Sequence, residues 1–295
     1  MGTKNKLKFG IPGGNLERSI AKLFEDAGYE FKVNSESSSV CIDDQDIECF
    51  FDKANEIAFL VGAGILDGGI TSKAALIEAK AEIAEVCTIG TPSSTWRSSK
   101  VVLAVPEKSK IKTLKDLNGK KIITRLPEIT KSFLKKNKIS AEIEVSHSAN
   151  EAKTSVLADA VVEFTSTGNT LQLYNLKVLE VLLEDANILS VIACSKALKD
   201  SWKREKIEGI GILLKGARIA QEYSGLMLHA SNDMMEEVLK ALPAMKKATI
   251  THLRGENWFD VFTVARKKEL RKLIPRLRKI GCTDIIEFNL SKVIV

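Results

Sequence analysis

The sequence predicts an α/β protein that ends in a separate βαββαβ module. Three observations carry that reading. Short apolar strands run repeatedly into helices through glycine turns, which is the basic α/β step. The C-terminal segment of about 70 residues changes to strand, helix, two strands, helix, strand, the order of a ferredoxin-like module. The charge is also divided. The 295 residues carry a net charge of +6, yet residues 246–295 hold 12 Lys/Arg against 5 Asp/Glu, a balance of +7 that leaves −1 for the rest. With 44% hydrophobic and 28% charged residues, the composition is that of an ordinary soluble domain and excludes a disordered or collagen-like chain.

In chain order, Leu7–Pro12 reads as a buried strand, Gly13-Gly14 as a turn, and Asn15 as the cap of a helix carrying Leu16, Ile20, Leu23 and Phe24. Gly28 stops that helix. Ile57–Val61 reads as helix, Leu66–Ile70 as strand, and Ala74–Ala79 as a helix capped by Thr71 or Ser72. Val101–Pro106, Lys121–Thr124 and Ile143–Val145 are strands. Thr113–Gly119 and the segment from Thr130 are helices. Ala160–Phe164 is a strand, Thr165–Thr170 a polar loop, and Leu171 begins a helix. Val178–Leu183 and Ile188–Ala193 are strands, followed by a long helix over Trp202–Glu222. The last module has strands at Gly225–Ala230, Ala248–Leu253, Trp258–Val264 and Asp284–Leu290. Its helices lie at Asn232–Leu242, capped by Ser231, and Lys268–Ile280, closed by Gly281.

No stretch reaches the roughly 18 apolar residues of a membrane span, and Met1–Leu7 lacks the apolar run of a secretory signal. Five cysteines, at 41, 49, 87, 194 and 282, include no CxxC pair. A reduced, cytoplasmic setting is the expectation.

The richest stretch is Asp159–Thr170. An apolar strand delivers the acid Glu163, and a loop of hydroxyls with one glycine leads into a helix. Small residues let backbone approach an anion, and free N–H groups at a helix start favour phosphate. Thr165, Ser166, Thr167 and Thr170 add hydroxyls, with Gly168 and Asn169 between them. A carboxylate at the strand end can accept from a ribose diol. Phosphate plus diol spells a 5-phosphoribosyl group. The same pattern also suits an ordinary capped strand–helix turn.

This segment resembles the phosphoribosyl-diphosphate loop of the ATP phosphoribosyltransferase family. So, in the same order, do Leu7–Leu16, Gly64–Thr71, Val102–Glu107 and Leu157–Ala160, while Pro243–Ile250 resembles the family's C-terminal module. The resemblance covers nearly the whole chain and is to the family's long form. It implies a two-lobed, type II periplasmic-binding-protein-like core with its site in the cleft. Residues 1–89 with 178–222 would form one lobe, 90–177 the other, and 223–295 a regulatory module that binds histidine. It also implies ATP and 5-phosphoribosyl 1-diphosphate as substrates, Mg²⁺ on the diphosphate, and a homo-oligomer, dimer or hexamer.

The resemblance implies residue roles as well. Glu163 would hold the ribose hydroxyls and Thr165–Thr170 the 5-phosphate. Gly13, Gly14, Lys53, Thr71 and Glu151 would line the nucleotide side of the cleft. Lys53 stands where relatives carry Arg, and it also reads as a solvated helix lysine. Thr249 would lie near the histidine pocket. The sequence departs from the family's pattern at Gly13, where many relatives have Lys, and at Asn15, Lys100 and Val156. Cationic thinning at Gly13 leaves open a non-catalytic phosphoribosyl- or nucleotide-binding relative.

Other signals carry less. Gly62–Gly68 has GxGxxxG spacing behind a helix, which is not a dinucleotide loop. His147, His229 and His252 lack metal-ligand spacing, and no metal ligands are identified. The basic run Arg266–Lys279 keeps Leu270, Leu273, Ile274 and Leu277 on one face and has no interleaved aromatics. Its charges form a solvated helix face, so neither nucleic-acid nor membrane binding is expected.

Overall fold

Strand-to-helix turns recur along the chain in the computed structural model, which describes residues 6–34, 39–93, 96–146, 150–154, 156–243, 247–255 and 257–295. Strand β1 (Leu7–Pro12) passes through a 3-10 turn (Gly14–Leu16) into α1 (Glu17–Ala27). The hairpin β2 (Phe31–Asn34) and β3 (Ser39–Ile42) follows, then β4 (Ile47–Asp52), α2 (Ala54–Gly62), β5 (Gly68–Ser72), α3 (Lys73–Glu78) and β6 (Ile83–Gly90). Next come β7 (Lys100–Pro106), a 3-10 turn (Leu114–Leu117), β8 (Lys121–Thr124), α4 (Pro127–Lys136), β9 (Glu142–Val145), α5 (Asn150–Lys153), β10 (Ala160–Thr165), α6 (Asn169–Leu173) and β11 (Leu176–Leu183). Strand β12 (Leu189–Cys194) leads to α7 (Ser195–Lys199) and α8 (Ser201–Ala220). The chain ends with β13 (Tyr223–Ser231), a 3-10 turn (Asn232–Met234), α9 (Met235–Ala241), β14 (Thr249–His252), β15 (Trp258–Arg266), α10 (Lys267–Ile280) and β16 (Thr283–Asn289).

These elements form two compact units, residues Met1–Lys22 with Tyr29–Gly211, and Leu23–Gly28 with Ile212–Val295. The first unit holds two five-stranded sheets. One has the order β4-β1-β5-β12-β6, with β1 parallel to both neighbours and β12 antiparallel to both of its own. The other has the order β11-β7-β10-β8-β9, with β10, β8 and β9 parallel and β7 antiparallel to β10 and β11. This is the two-lobed core that the resemblance implies. The second sheet is buried on both faces, which explains its uninterrupted apolar strands. Val101, Leu103, Val105, Ile122 and Val162 pack on one side; Val102, Ala104, Ile123 and Val161 pack on the other.

The structure corrects two expectations and adds four strands. Strand β11 pairs with β7, so residues 178–183 belong to the second sheet, and β12 is the first strand back in the first sheet. Apolar alternation marks Val178–Leu183 as a strand, but its partner is a long-range choice that local pattern does not carry. Asn15 lies inside the 3-10 turn, whose N-cap is Gly13 with no capping side chain. The hairpin β2–β3 and strands β4 and β6 were not read from the sequence. β4, Ile-Glu-Cys-Phe-Phe-Asp, lacks clean alternation, and β6 is largely half-exposed.

In the second unit the sheet order is β14-β15-β13-β16, antiparallel throughout, the strand arrangement of a ferredoxin-like module. Leu226, Leu228, Ala230 and Val261 of the sheet pack with Val238 of α9 and Leu270, Leu273 and Leu277 of α10. The lysines and arginines of α10 are therefore turned from that core, as expected. Gly281 closes the helix at φ +112, a conformation that favours glycine.

Candidate active site

The site is built at the carboxyl ends of two parallel neighbours in the second sheet, β8 and β10. Their register pairs Ile122 with Ala160, Ile123 with Val161 and Thr124 with Val162. The next residues along, Arg125 and Glu163, meet at their side chains. Arg125 Nε donates to Glu163 Oε1 at 2.7 Å, and Nη2 lies 2.6 Å from the same oxygen. The guanidinium also covers the Phe164 ring, 5.6 Å from its centroid. Glu163 is 2% exposed whereas Arg125 is 46% exposed, so a buried carboxylate meets a solvent-facing cation.

Other groups surround that carboxylate. The Phe164 N–H donates to Oε1 at 2.9 Å, and Asn150 Nδ2 reaches Oε2 at 3.5 Å. Asn150 Nδ2 also donates to the Ser146 carbonyl at 3.0 Å. Asn150 is 1% exposed, and its Oδ1 has no hydrogen-bond partner among the described residues. Burial pushes the Glu163 carboxyl above its ordinary range. The Phe164 N–H and Arg125 oppose that rise, and the negative charge of Glu151 adds to it.

Immediately after Glu163, residues Phe164–Thr170 and Ser99 line a small open pocket of about 140 Å³. Its hydroxyls shape the loop. Thr165 Oγ1 accepts from the Gly168 N–H at 3.1 Å, and Thr167 Oγ1 accepts from the Asn169 N–H at 3.5 Å. Gly168 has φ +81, a backbone conformation that side chains with a Cβ rarely adopt. A Cβ there would meet nothing within 4 Å, so the conformation and not the space calls for glycine. Helix α6 has only five residues, so the loop's own groups, not a long helix dipole, would face an anion.

A larger cleft of about 640 Å³ opens between the two sheets of the first unit. Lys53, Ala54, Asn55, Phe59 and Ser72 line it from one side; Arg125, Leu126, Val145 and Phe164 line it from the other. Lys53, the N-cap of α2, lines this cleft and is exposed. Thr71 does not line it. It is fully buried, and its hydroxyl donates to the Ala54 carbonyl at 2.6 Å; its neighbour Ser72 faces the cleft instead. Successive strand residues point to opposite faces, so a one-residue choice decides this. Glu151, expected to face the cleft, sits half-buried on α5 and reaches Glu163 only through its charge, while Asn150 makes the contact.

Gly13 and Gly14 are not among the residues that line this cleft. Gly14 is exposed with φ +64, at the start of the 3-10 turn. At Gly13 a Cβ would fall 2.5 Å from Cζ of Phe51, whose ring covers the glycine. Thr249 lies on the exposed edge strand β14, paired with Phe262. His147 lies outside the described residues.

A family model described as ATP phosphoribosyltransferase matches residues 53–216, and a second, described as HisG, C-terminal domain, matches residues 220–292. The chain belongs to the ATP phosphoribosyltransferase family. A relative of that name from Chlorobium phaeobacteroides is 40% identical over 291 residues, covering 99% of this chain and 98% of the relative. Another from Chlorobium luteolum is 40% identical over 295 residues and covers both chains in full, 100% of each. Among solved structures, a chain of the ATP phosphoribosyl transferase (HisG:HisZ) complex from Thermotoga maritima superposes with a TM-score of 0.58 at 24% identity. It covers 71% of this chain and 98% of that one, a likeness of fold.

Arg125 and Asn150, the side chains that contact Glu163, were not singled out by sequence reading. Arg125 follows a short strand and precedes Leu-Pro, where nothing in the local pattern marks it. Only the parallel register of β8 against β10 brings it to Glu163.

Proposed function

We infer that the chain catalyses the reaction for which its family is named. The N1 of the ATP adenine would displace pyrophosphate from C1 of 5-phosphoribosyl 1-diphosphate, giving N1-(5-phosphoribosyl)-ATP and diphosphate, the entry step of histidine biosynthesis. Full-length identity to relatives of that name supports the activity. The observation that carries the placement is the 140 Å³ hydroxyl-lined pocket that begins at the residue after Glu163.

In this reading the residues divide the work. Thr165, Ser166, Thr167, Asn169 and Thr170 surround the 5-phosphate, with Gly168 allowing the turn. Glu163 and Asn150 supply acceptor oxygens for the ribose hydroxyls. The 640 Å³ cleft takes the nucleotide, with Lys53 and Arg125 as its cations. As the C1–O bond breaks, positive charge grows on the ribose and negative charge on the leaving diphosphate. Fixed donors and cations offset the second. No protein nucleophile is needed.

Mg²⁺ fits this arrangement as a substrate-borne ion. Among the described residues no group of three His, Cys, Asp or Glu side chains could hold a metal. Magnesium bound chiefly through phosphates and water requires no such cage. When bound, it would neutralise charge on the departing diphosphate.

The C-terminal module would be regulatory, with histidine as its ligand and Thr249 near the pocket. The assembly would be a homo-oligomer and the setting cytoplasmic; among the described residues no helix is long and apolar enough to cross a membrane. The test is pyrophosphate release from ATP, 5-phosphoribosyl 1-diphosphate and Mg²⁺, with pyrophosphatase added and with histidine present or absent. Turnover that histidine suppresses supports both parts. Turnover without suppression removes the regulatory reading. No turnover leaves the non-catalytic relative.

A further inference from the structure

Glu163 is buried to 2% exposure, yet the ribose reading needs it charged and held still. Unaided burial works against the charge, because a desolvated carboxylate favours its neutral form. Among the described residues, Arg125 is the cation that counters this. Arg125 places two nitrogens, at 2.7 and 2.6 Å, on the single oxygen Oε1. Among the described residues, that leaves Oε2 with only the long 3.5 Å contact to Asn150 Nδ2, beside an Asn150 Oδ1 that has no partner among them. Two neighbouring acceptors are thus short of donors, and the two hydroxyls of a ribose are a matching pair of donors.

The backbone around Arg125 is fixed. Thr124 Oγ1 donates to the Val162 carbonyl of β10 at 3.1 Å and accepts from the Leu126 N–H at 2.9 Å. Arg125 is therefore anchored on both sides, and its guanidinium is wedged between the Glu163 carboxylate and the Phe164 ring.

We propose that Arg125 is a positioning residue of the phosphoribosyl site: its guanidinium locks Glu163 through Oε1, so that Oε2 and the carbonyl of Asn150 are presented together to the ribose diol. The inference rests on the reading of Glu163 as the ribose-binding acid. Among the described residues, the charged groups acting on Glu163 are Arg125, beyond β8, and Glu151, on α5; they act in opposite directions. Arginine suits the task because its planar fork engages one group with two nitrogens, which a lysine ammonium cannot do.

The test compares Arg125→Ala, Arg125→Lys and Glu163→Gln with the full-length wild type. Each is checked for cooperative thermal unfolding and assayed by pyrophosphate release over a range of pH. Arg125→Ala is expected to raise KM for 5-phosphoribosyl 1-diphosphate about tenfold or more, the scale of a lost charge-assisted hydrogen bond. KM for ATP, whose cleft Arg125 also lines, should rise by less than that, and the acid limb of kcat/KM should move to higher pH, because Glu163 loses the cation that favours its ionised form. Arg125→Lys should restore much of the pH profile but less of KM. Glu163→Gln should lose activity at every pH. An Arg125→Ala enzyme that folds and keeps its KM and acid limb overturns the clamp. If it fails to fold, the same two readouts in Arg125→Lys decide. If Glu163→Gln keeps wild-type activity, the ribose reading itself falls, which separates that failure from this one.

Discussion

Two turns in this protein share a local architecture and differ in chemistry. One leads from β1 through Gly13-Gly14 towards α1; the other leads from β10 through Gly168 into α6. Both start at the end of a strand in a buried sheet and both use glycine with positive φ, Gly14 at +64 and Gly168 at +81. The second turn has an acid at its root and a pocket lined by hydroxyls. The first has no acid at its root, and the Phe51 ring lies over Gly13 where a cation would have to emerge. A strand–glycine–helix turn is thus a frame that many sequences can build. What makes one of them a candidate site is the set of polar groups left facing outward and the packing that leaves room for a ligand.

The contrast is broken most severely at Glu163. Glu163→Ala should lower pyrophosphate release by about a hundredfold or more, since it removes the ribose acceptor and strands the Arg125 guanidinium. Because burial holds this carboxyl above its ordinary range, wild-type activity should fall on acidification earlier than a solvated glutamate would dictate. Protonation as the pH drops through that raised pKa removes the charged acceptor. A pH profile of kcat/KM whose acid limb lies in the ordinary carboxylate range would contradict this.

Gly13→Lys probes the first turn. Its Cβ would meet Phe51 at 2.5 Å, so the variant should lose about 1–3 kcal/mol of stability in a denaturant titration, the usual cost of overpacking. Gly13→Lys combined with Phe51→Ala should lose no further stability beyond Phe51→Ala alone. Unchanged stability in the single variant, with a lower KM for either substrate, would show that Phe51 yields and that this turn accepts a cation after all.

The smallest effect is expected at Thr71, which the cleft does not include. Thr71→Val removes a buried 2.6 Å hydrogen bond to the Ala54 carbonyl and should cost about 1 kcal/mol of stability. KM values should not change. A KM shift without a stability loss would return Thr71 to the site.

Much of the fold was legible in the sequence. Strands β1, β7, β8, β10 and β13 announce themselves as apolar runs because their sheets are covered on one or both faces. The βαββαβ order of the last module followed from alternation and from Leu270, Leu273 and Leu277 at helical spacing. Local pattern could not assign β11 to its sheet or find β4, because strand partners are set by contacts distant in sequence. The same division holds at the site. Glu163 and the hydroxyl loop are contiguous and were read directly. Arg125 lies 38 residues from Glu163 and Asn150 lies 13, and only the β8–β10 register and the placement of α5 bring them together. Glu151 adjoins Asn150, which contacts Glu163, and Thr71 adjoins Ser72, which lines the cleft.

The most direct test of the account measures binding at the loop without chemistry. Calorimetric titration of 5-phosphoribosyl 1-diphosphate with Mg²⁺, in the absence of ATP, compares the wild type with Gly168→Val. A β-branched residue at φ +81 strains the turn although no atom lies within 4 Å of its Cβ, so the loop must change shape to accept it. The account predicts binding by the wild type and a loss of about tenfold or more in the variant, with the rest of the fold intact by thermal unfolding. Equal affinity in a folded variant would contradict the placement of the phosphoribosyl group at Thr165–Thr170.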